Sequence, residues 1–154
     1  MTILDRVMPA VNVEAIVWEA FGLNRYRPIG RQRLHNLAVT AGRNLIRDLL
    51  HGDSLAGVTH FAVGTSNTAV APADTALGAQ VFRDALAQKA KDTVKLTAKY
   101  FLASGSANGN TLREAGLFNA ASGGTMYARV VLETAIVKTA SIAVTFTWDL
   151  TWST

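Results

Sequence analysis

The chain has 154 residues and a formal net charge of +4, from 15 Lys plus Arg against 11 Asp plus Glu, which is the size of one ordinary domain and too mild a charge to make nucleic acid the default partner. Apolar residues make up 49% and charged residues only 17%, below the roughly 25% usual in globular domains, a balance that excludes a disordered chain. Cysteine is absent, so disulfides, thiolate nucleophiles and cysteine-ligated metal sites are excluded too.

Asp5, Glu14 and Glu19 interrupt the first apolar stretch, which lacks the basic start and unbroken apolar centre of a signal peptide. Charged residues, Gly or Asn break every apolar run before it reaches the length of a membrane-spanning helix, so no membrane segment is expected. Residues 1–33 read as an extended N-terminal arm that crosses a surface: Pro28 forces Arg27 out of the helical region, and Gly22 and Gly30 discourage a continuing helix. Within the arm, Val13, Ile16, Val17, Ala20 and Phe21 fit one face of a short helix capped by Asn12, with a strand as the open alternative.

Residues 34–154 read as a β domain with a leading helix. Leu34, Leu37, Ala38, Ala41, Leu45, Ile46 and Leu49 follow the i, i+3, i+4, i+7 template, and His51-Gly52 supplies a stop. The opposite face carries Asn36, Thr40, Arg43, Arg47 and Asp48, so the apolar stripe is expected to cover a sheet. Gly42, in mid-helix at a cost of about 1 kcal/mol relative to Ala, points to close packing.

Past Gly57 the apolar period falls to two. Thr59 to Val63 reads as a short strand ending at Gly64, followed by a loop in which Asp74 caps a turn near Thr75. Residues 76–89 fit no single pattern. From Thr93 to Ala103, Val94, Leu96, Ala98, Tyr100 and Leu102 alternate with Lys95, Thr97 and Lys99, giving a strand with one wet face. Leu112 to Phe118 and Met126 to Glu133 form a hairpin around Gly123-Gly124. From Ile142 the residues Ile142, Val144, Phe146, Trp148, Leu150 and Trp152 share one face of a terminal strand, and Trp148 and Trp152 anchor either the core or an interface. The expected fold class is therefore mainly β: an antiparallel sheet or sandwich covered by one α-helix, with an extended N-terminal arm.

Few residues are arranged for chemistry. His35, His51 and His60 make no metal-ligand spacing, and His35 and His51 fall at opposite ends of the predicted helix. There is no GxSxG, and GSANGN and ASGG lack the helix and Lys of a phosphate loop. No catalytic residue, metal or cofactor is assigned. Glu114 is the one acid embedded in an apolar strand, and Arg83, Arg113 and Arg129 are its candidate ion-pair partners. Six arginines, Arg25, Arg27, Arg31, Arg33, Arg43 and Arg47, lie between Glu19 and Asp48 with no acid among them. Guanidinium groups pair bidentately with carboxylate or phosphate and desolvate more readily than ammonium, so this run reads as a docking surface for an acidic partner, with a solvated face or a nucleic-acid contact as the alternatives.

The AVGT turn at Ala62 to Thr65, DTALG at Asp74 to Gly78 with Arg83 after it, EAGLF at Glu114 to Phe118 and GGTMYAR at Gly123 to Arg129 occur in an order that resembles small bacteriophage virion structural proteins of the tail or tail-fibre type, and more distantly the tail-collar fibre domain. The resemblance spans about Leu34 to Trp152. It implies a non-enzymatic virion protein, an oligomeric adaptor of the tail, neck or baseplate that meets other virion proteins, with a trimer favoured for its homo-oligomer. Independently of the resemblance, the same marks offer one acid and two bases, Glu114 with Arg83 and Arg129, for a structural ion pair, internal or intersubunit. Capsid decoration is the nearest alternative. A receptor- or glycan-binding module, stacking ligands on Tyr100, Tyr127, Trp148 or Trp152, is the other.

Overall fold

The computed structural model describes residues 9–152. Ten strands and one helix follow in the order β1 (Ala10–Ala20), β2 (Tyr26–His35), β3 (Leu37–Ala38), α1 (Thr40–His51), β4 (His60–Gly64), β5 (Gln80–Ala85), β6 (Gln88–Asp92), β7 (Lys95–Leu102), β8 (Thr111–Phe118), β9 (Met126–Val137) and β10 (Ile142–Thr151). They form two five-stranded antiparallel sheets, ordered β2-β1-β10-β7-β6 and β3-β9-β8-β4-β5. The fold is thus the expected sandwich with a single helix.

The first sheet is built around β10. Val144, Phe146, Trp148 and Leu150 alternate inward, fully buried, while Thr145, Thr147 and Asp149 face outward and are half-buried. Across the core, Phe61 stacks on Tyr100 at 4.7 Å between ring centroids and packs against Phe146 at 4.8 Å. Burial of such rings is the main stabilising contribution of the sandwich. Trp148 is completely buried within its own chain, so it anchors this core and does not present an interface; Trp152 is half-buried at the end of the same face.

The first correction to the expected organisation lies at the N-terminal end. From residue 10 onward the supposed arm is integral to the sheet: β1 pairs with β10 over its full length and with β2 on its other edge. Val11, Val13 and Ala15 are core residues. Residues 1–8 lie outside the described part. Pro28 is compatible with this placement because β2 is an edge strand, where a missing N–H breaks no ladder, and the register shifts opposite it between Val17 and Trp18.

The helix also starts later than the apolar spacing predicts. Leu34 belongs to β2 opposite Val13, Leu37 and Ala38 pair with Arg129 and Ala128 of β9, and α1 begins only at Thr40. His35 therefore sits on a strand, not at a helix end. The predicted stop holds: Gly52 adopts the left-handed conformation, and its N–H reaches the carbonyl of Leu49. Gly42 and Leu45 are buried on the inner face of α1, which rests on β9. A Cβ at Gly42 would collide with the backbone carbonyl of Tyr127, so the helix approaches the strand as closely as only glycine permits.

The remaining segments follow the alternation. Residues 76–89, which fit no pattern, contain all of β5 and the start of β6, linked by a turn that crosses from one sheet to the other. Gly123 and Gly124 take positive φ in the β8–β9 hairpin.

Candidate interaction surface and the buried ion-pair network

Glu114 and Arg129 face each other inside the second sheet, both almost completely shielded from solvent, with Arg129 Nε donating to Glu114 Oε2 at 2.8 Å. The carboxylate accepts three further bonds from the 64–79 loop: from Ala79 N at 2.8 Å, Gly78 N at 3.0 Å and Ser66 N at 3.3 Å. Arg129 in turn donates through Nη1 to Asp74 Oδ2 at 2.8 Å and through Nη2 to Thr68 O at 2.9 Å. Two side chains on neighbouring strands thus hold a long loop by its main chain. Burying charges is costly unless each is paired and hydrogen-bonded, and this network meets both conditions. Its lone pairs and protons are taken up by backbone, so it acts as a staple.

Asp74 is the member that sequence reasoning placed differently. Its Oδ2 accepts from Ala71 N at 3.0 Å, closing a turn over residues 71–74 that precedes Asp74 instead of the one expected near Thr75, and the same oxygen reaches Arg129 across the fold. The Ala71 N–H and the Arg129 guanidinium together hold its carboxyl below the usual range, against the opposing effect of burial. Burial opposes the charge of Arg129, yet its two carboxylate partners win and raise its pKa.

Arg83 is not part of this pair. It stands on β5, separated from Glu114 by β4, and its guanidinium carbon lies 3.6 Å above the Phe118 ring. Nη1 donates to Gly123 O at 2.9 Å and Ala120 O at 3.2 Å, and Nη2 donates to Gln80 Oε1 at 2.7 Å. Arg83 therefore clasps the β8–β9 hairpin through a cation–π contact and carbonyl bonds. Lys138, the other deeply buried cation, donates through Nζ to Ser104 O and Asn108 Oδ1, both at 2.9 Å, and fastens the 103–110 turn.

The six-arginine run divides in two. Arg25, Arg27, Arg31 and Arg33 lie on or beside β2 at the edge of the first sheet, whereas Arg43 and Arg47 lie on α1. Hairpin register brings acids to the first group: Glu14 faces Arg33 and Glu19 faces Arg27. Glu14 Oε1 pairs with Arg33 at 2.9 Å and Arg31 at 3.2 Å, and Glu19 pairs with Arg27. Arg47 pairs with Asp48, and Arg43 Nε donates to the Ala38 carbonyl. Among the described residues Arg25 alone of the six makes no ion pair or side-chain hydrogen bond. The run of unopposed positive charge in the sequence is accordingly a mixed-charge surface in the fold.

The candidate stacking residues are inside. Tyr100, Tyr127 and Trp148 are buried, which leaves Trp152 as the accessible member of that set. The exposed aromatic contact on the first sheet is one that sequence reasoning missed: Tyr26 meets Phe101 edge-on at 5.9 Å, beside Trp18, whose Nε1 donates to Thr145 Oγ1 at 2.9 Å. His35 and His51 are exposed and His60 is half-buried, and among the described residues no three His, Cys, Asp or Glu side chains come together as a metal site. Among the described residues no helix is long and apolar enough to cross a membrane.

On one side of the sandwich β2 and β9 face each other across the two sheets. β9 is paired with β3 only at Ala128 and Arg129, so from residue 130 onward that edge has no strand beside it among the described residues. A groove of about 320 Å³ runs there, lined by Val17, Ile29, Gln32, Ile136, Val137 and Ile142 among others. Nearby, the β1–β2 hairpin exposes Phe21 and Leu23. Comparison with family models, curated proteins and solved structures finds no match to this chain.

Proposed function

We propose that this chain is a non-enzymatic structural protein of a bacteriophage particle, an oligomeric adaptor of the tail, neck or baseplate that meets other virion proteins, with capsid decoration as the alternative position. The observation that carries the reading is the fate of the quoted marks. AVGT, DTALG, EAGLF and GGTMYAR converge on one region of the second sheet, where Glu114, Asp74 and Arg129 bind loop backbone. Residues used in this way rigidify a scaffold, and a rigid sandwich with open edges is suited to repeated contacts between subunits. The β1–β2 hairpin and β2 expose Phe21, Leu23 and Ile29, with Leu23 95% and Ile29 51% accessible. Apolar side chains left in water are available for contacts with other macromolecules.

Quantitative peptide mass spectrometry of purified particles tests this reading. A fixed copy number per particle, unchanged by high-salt washing, is the expected result; absence from particles would refute it. The Tyr26–Phe101 pair gives the receptor- or glycan-binding reading one observation in its favour, since exposed rings supply stacking surface. A glycan array separates the two, because an adaptor shows no specific signal.

A further inference from the structure

We propose that Asn108 is a latent deamidation site and that Lys138 keeps it closed, by holding the two groups whose reaction would begin the change. The inference concerns the chain itself and stands apart from the virion reading.

Asn108 is followed by Gly109, and no other asparagine in the sequence precedes a glycine. Glycine has no side chain to shield its nitrogen from the carboxamide before it. Gly109 N can therefore lose its proton to water and attack Asn108 Cγ. The new C–N bond closes a five-membered ring as the bond to the side-chain nitrogen breaks, and that nitrogen leaves as ammonia, taking up a proton. Water then opens the ring, at Cγ to give aspartate or at the main-chain carbonyl carbon to give isoaspartate. Water is the only co-reactant, nothing is oxidised or reduced, and both residues are exposed to it.

The fold opposes the first step through a single residue. Lys138 is completely buried, and its Nζ donates to three neutral acceptors: Ser104 O and Asn108 Oδ1 at 2.9 Å and Thr139 O at 3.2 Å. Among the described residues no carboxylate pairs with it, so these bonds alone offset the cost of enclosing a cation. Asn108 Oδ1 is the one side-chain acceptor of the three. The main chain of Lys138 holds the other reactant, since its carbonyl accepts from Gly109 N at 3.0 Å. Ring closure needs both to let go: the carboxamide must swing until Cγ meets Gly109 N, and that nitrogen must give up the proton now directed at Lys138 O.

The backbone between them is fixed as well. Lys138 N donates to Asn110 O at 2.9 Å, Asn110 Nδ2 donates to Asn108 O at 3.3 Å, and Gly109 takes a left-handed conformation. A turn tied at so many points reacts only while it is locally open. Fastening the turn would need no contact with Asn108, because backbone bonds at Gly109 and Asn110 already join it to Lys138.

The test follows conversion of amide to carboxyl at residue 108 by peptide mass spectrometry during incubation at mildly alkaline pH. Four samples are compared: folded wild type, wild type in concentrated urea, Lys138→Met with its folding checked by melting, and Asn108→Gln. Folded wild type should convert at least tenfold more slowly than the unfolded chain. Folded Lys138→Met, which keeps the main-chain bonds and loses Nζ, should convert several-fold faster than folded wild type, and Asn108→Gln should show no conversion at this position. The Gly109 amide of wild type should resist deuterium exchange; this measurement and the urea comparison apply even where Lys138→Met fails to fold. Equal rates in the folded and unfolded wild type, or rapid exchange at Gly109, would overturn the inference. So would a Lys138→Met rate equal to or below wild type, which would mean that the ammonium activates the carboxamide instead of restraining it. A product that has lost ammonia without gaining water, with Nζ of Lys138 joined to Cγ of Asn108, would overturn it too, because the amine would then be the nucleophile.

Discussion

Gln32 and Thr134 are joined by two hydrogen bonds between the sheets: Gln32 Nε2 donates to Thr134 O at 2.9 Å, and Thr134 N donates to Gln32 Oε1 at 3.2 Å. One side-chain amide thereby imitates a strand partner. The need arises from a register break, since Glu114 faces Val131 and Leu112 faces Ile136, so that Arg113 alone stands opposite residues 132–135 of β9. Backbone groups in such a bulge lack ladder partners, and Gln32 satisfies a donor and an acceptor there. Replacing Gln32 with Ala should lower stability by about 1 kcal/mol, the usual net worth of such bonds. The Thr134 amide should exchange with deuterium markedly faster in that variant, while the amides of β10 should not.

The buried network predicts an unequal response at its two arginine candidates. Glu114→Gln removes the negative charge facing a buried guanidinium and should cost about 3–5 kcal/mol. Arg83→Ala loses a ring contact and hairpin bonds at a partly exposed site and should cost about 1 kcal/mol. Chemical denaturation of both variants checks the order; equal losses would mean that Arg83 shares the Glu114 site after all.

Gly42 should reverse the ordinary helix rule. Gly→Ala in an exposed helix gains up to about 1 kcal/mol. Here the added methyl meets the Tyr127 carbonyl, so Gly42→Ala should instead destabilise by about 1–3 kcal/mol as α1 is forced off β9. A rise in melting temperature would contradict the close approach.

Tyr127 and Asp74 contribute to the pH dependence of the fold from opposite ends. Burial pushes the Tyr127 hydroxyl up to about 12, with nearby Arg43 pulling the other way. Because this pKa is raised on folding, its stabilising effect is complete below the free tyrosine value near 10 and is lost as pH climbs from there towards 12. Asp74 acts at the opposite end: its lowered pKa contributes stability above the free aspartate value near 3.8, lost as pH falls through the folded value. Among the described residues the Tyr127 hydroxyl also has no hydrogen-bond partner, so Tyr127→Phe should hold or raise stability at neutral pH and soften the alkaline loss. Melting curves between pH 3 and pH 12 test both limbs.

Sequence patterning revealed most of the second half of the molecule: β7 and β10 alternate apolar with polar residues, whereas β8 and the start of β9, buried on both faces, show as apolar runs either side of the Gly123-Gly124 turn. β1 escaped for a specific reason. Val11, Val13, Ala15 and Val17 do alternate, but Ile16 and Trp18 on the outer face blur the pattern into a helical one. The helix start was misread because Leu34, Leu37 and Ala38 happen to match helical spacing while serving in β2 and β3. The Glu114–Arg129 pair was legible as an acid and a base in apolar strands. Asp74 as a third member was not, since 55 residues separate it from Arg129 and only the folded loop brings them together. The acids that neutralise the β2 arginines were hidden similarly: they precede the run in sequence and meet it only through hairpin register.

The most direct test of the account is a particle reconstruction at a resolution that separates sheets. It should show the ten-stranded sandwich repeated around a symmetry axis of the tail, neck, baseplate or capsid surface, three copies to a cluster being the favoured arrangement. Particles whose density is fully accounted for by other chains would contradict the claim that this protein is a building block of the virion.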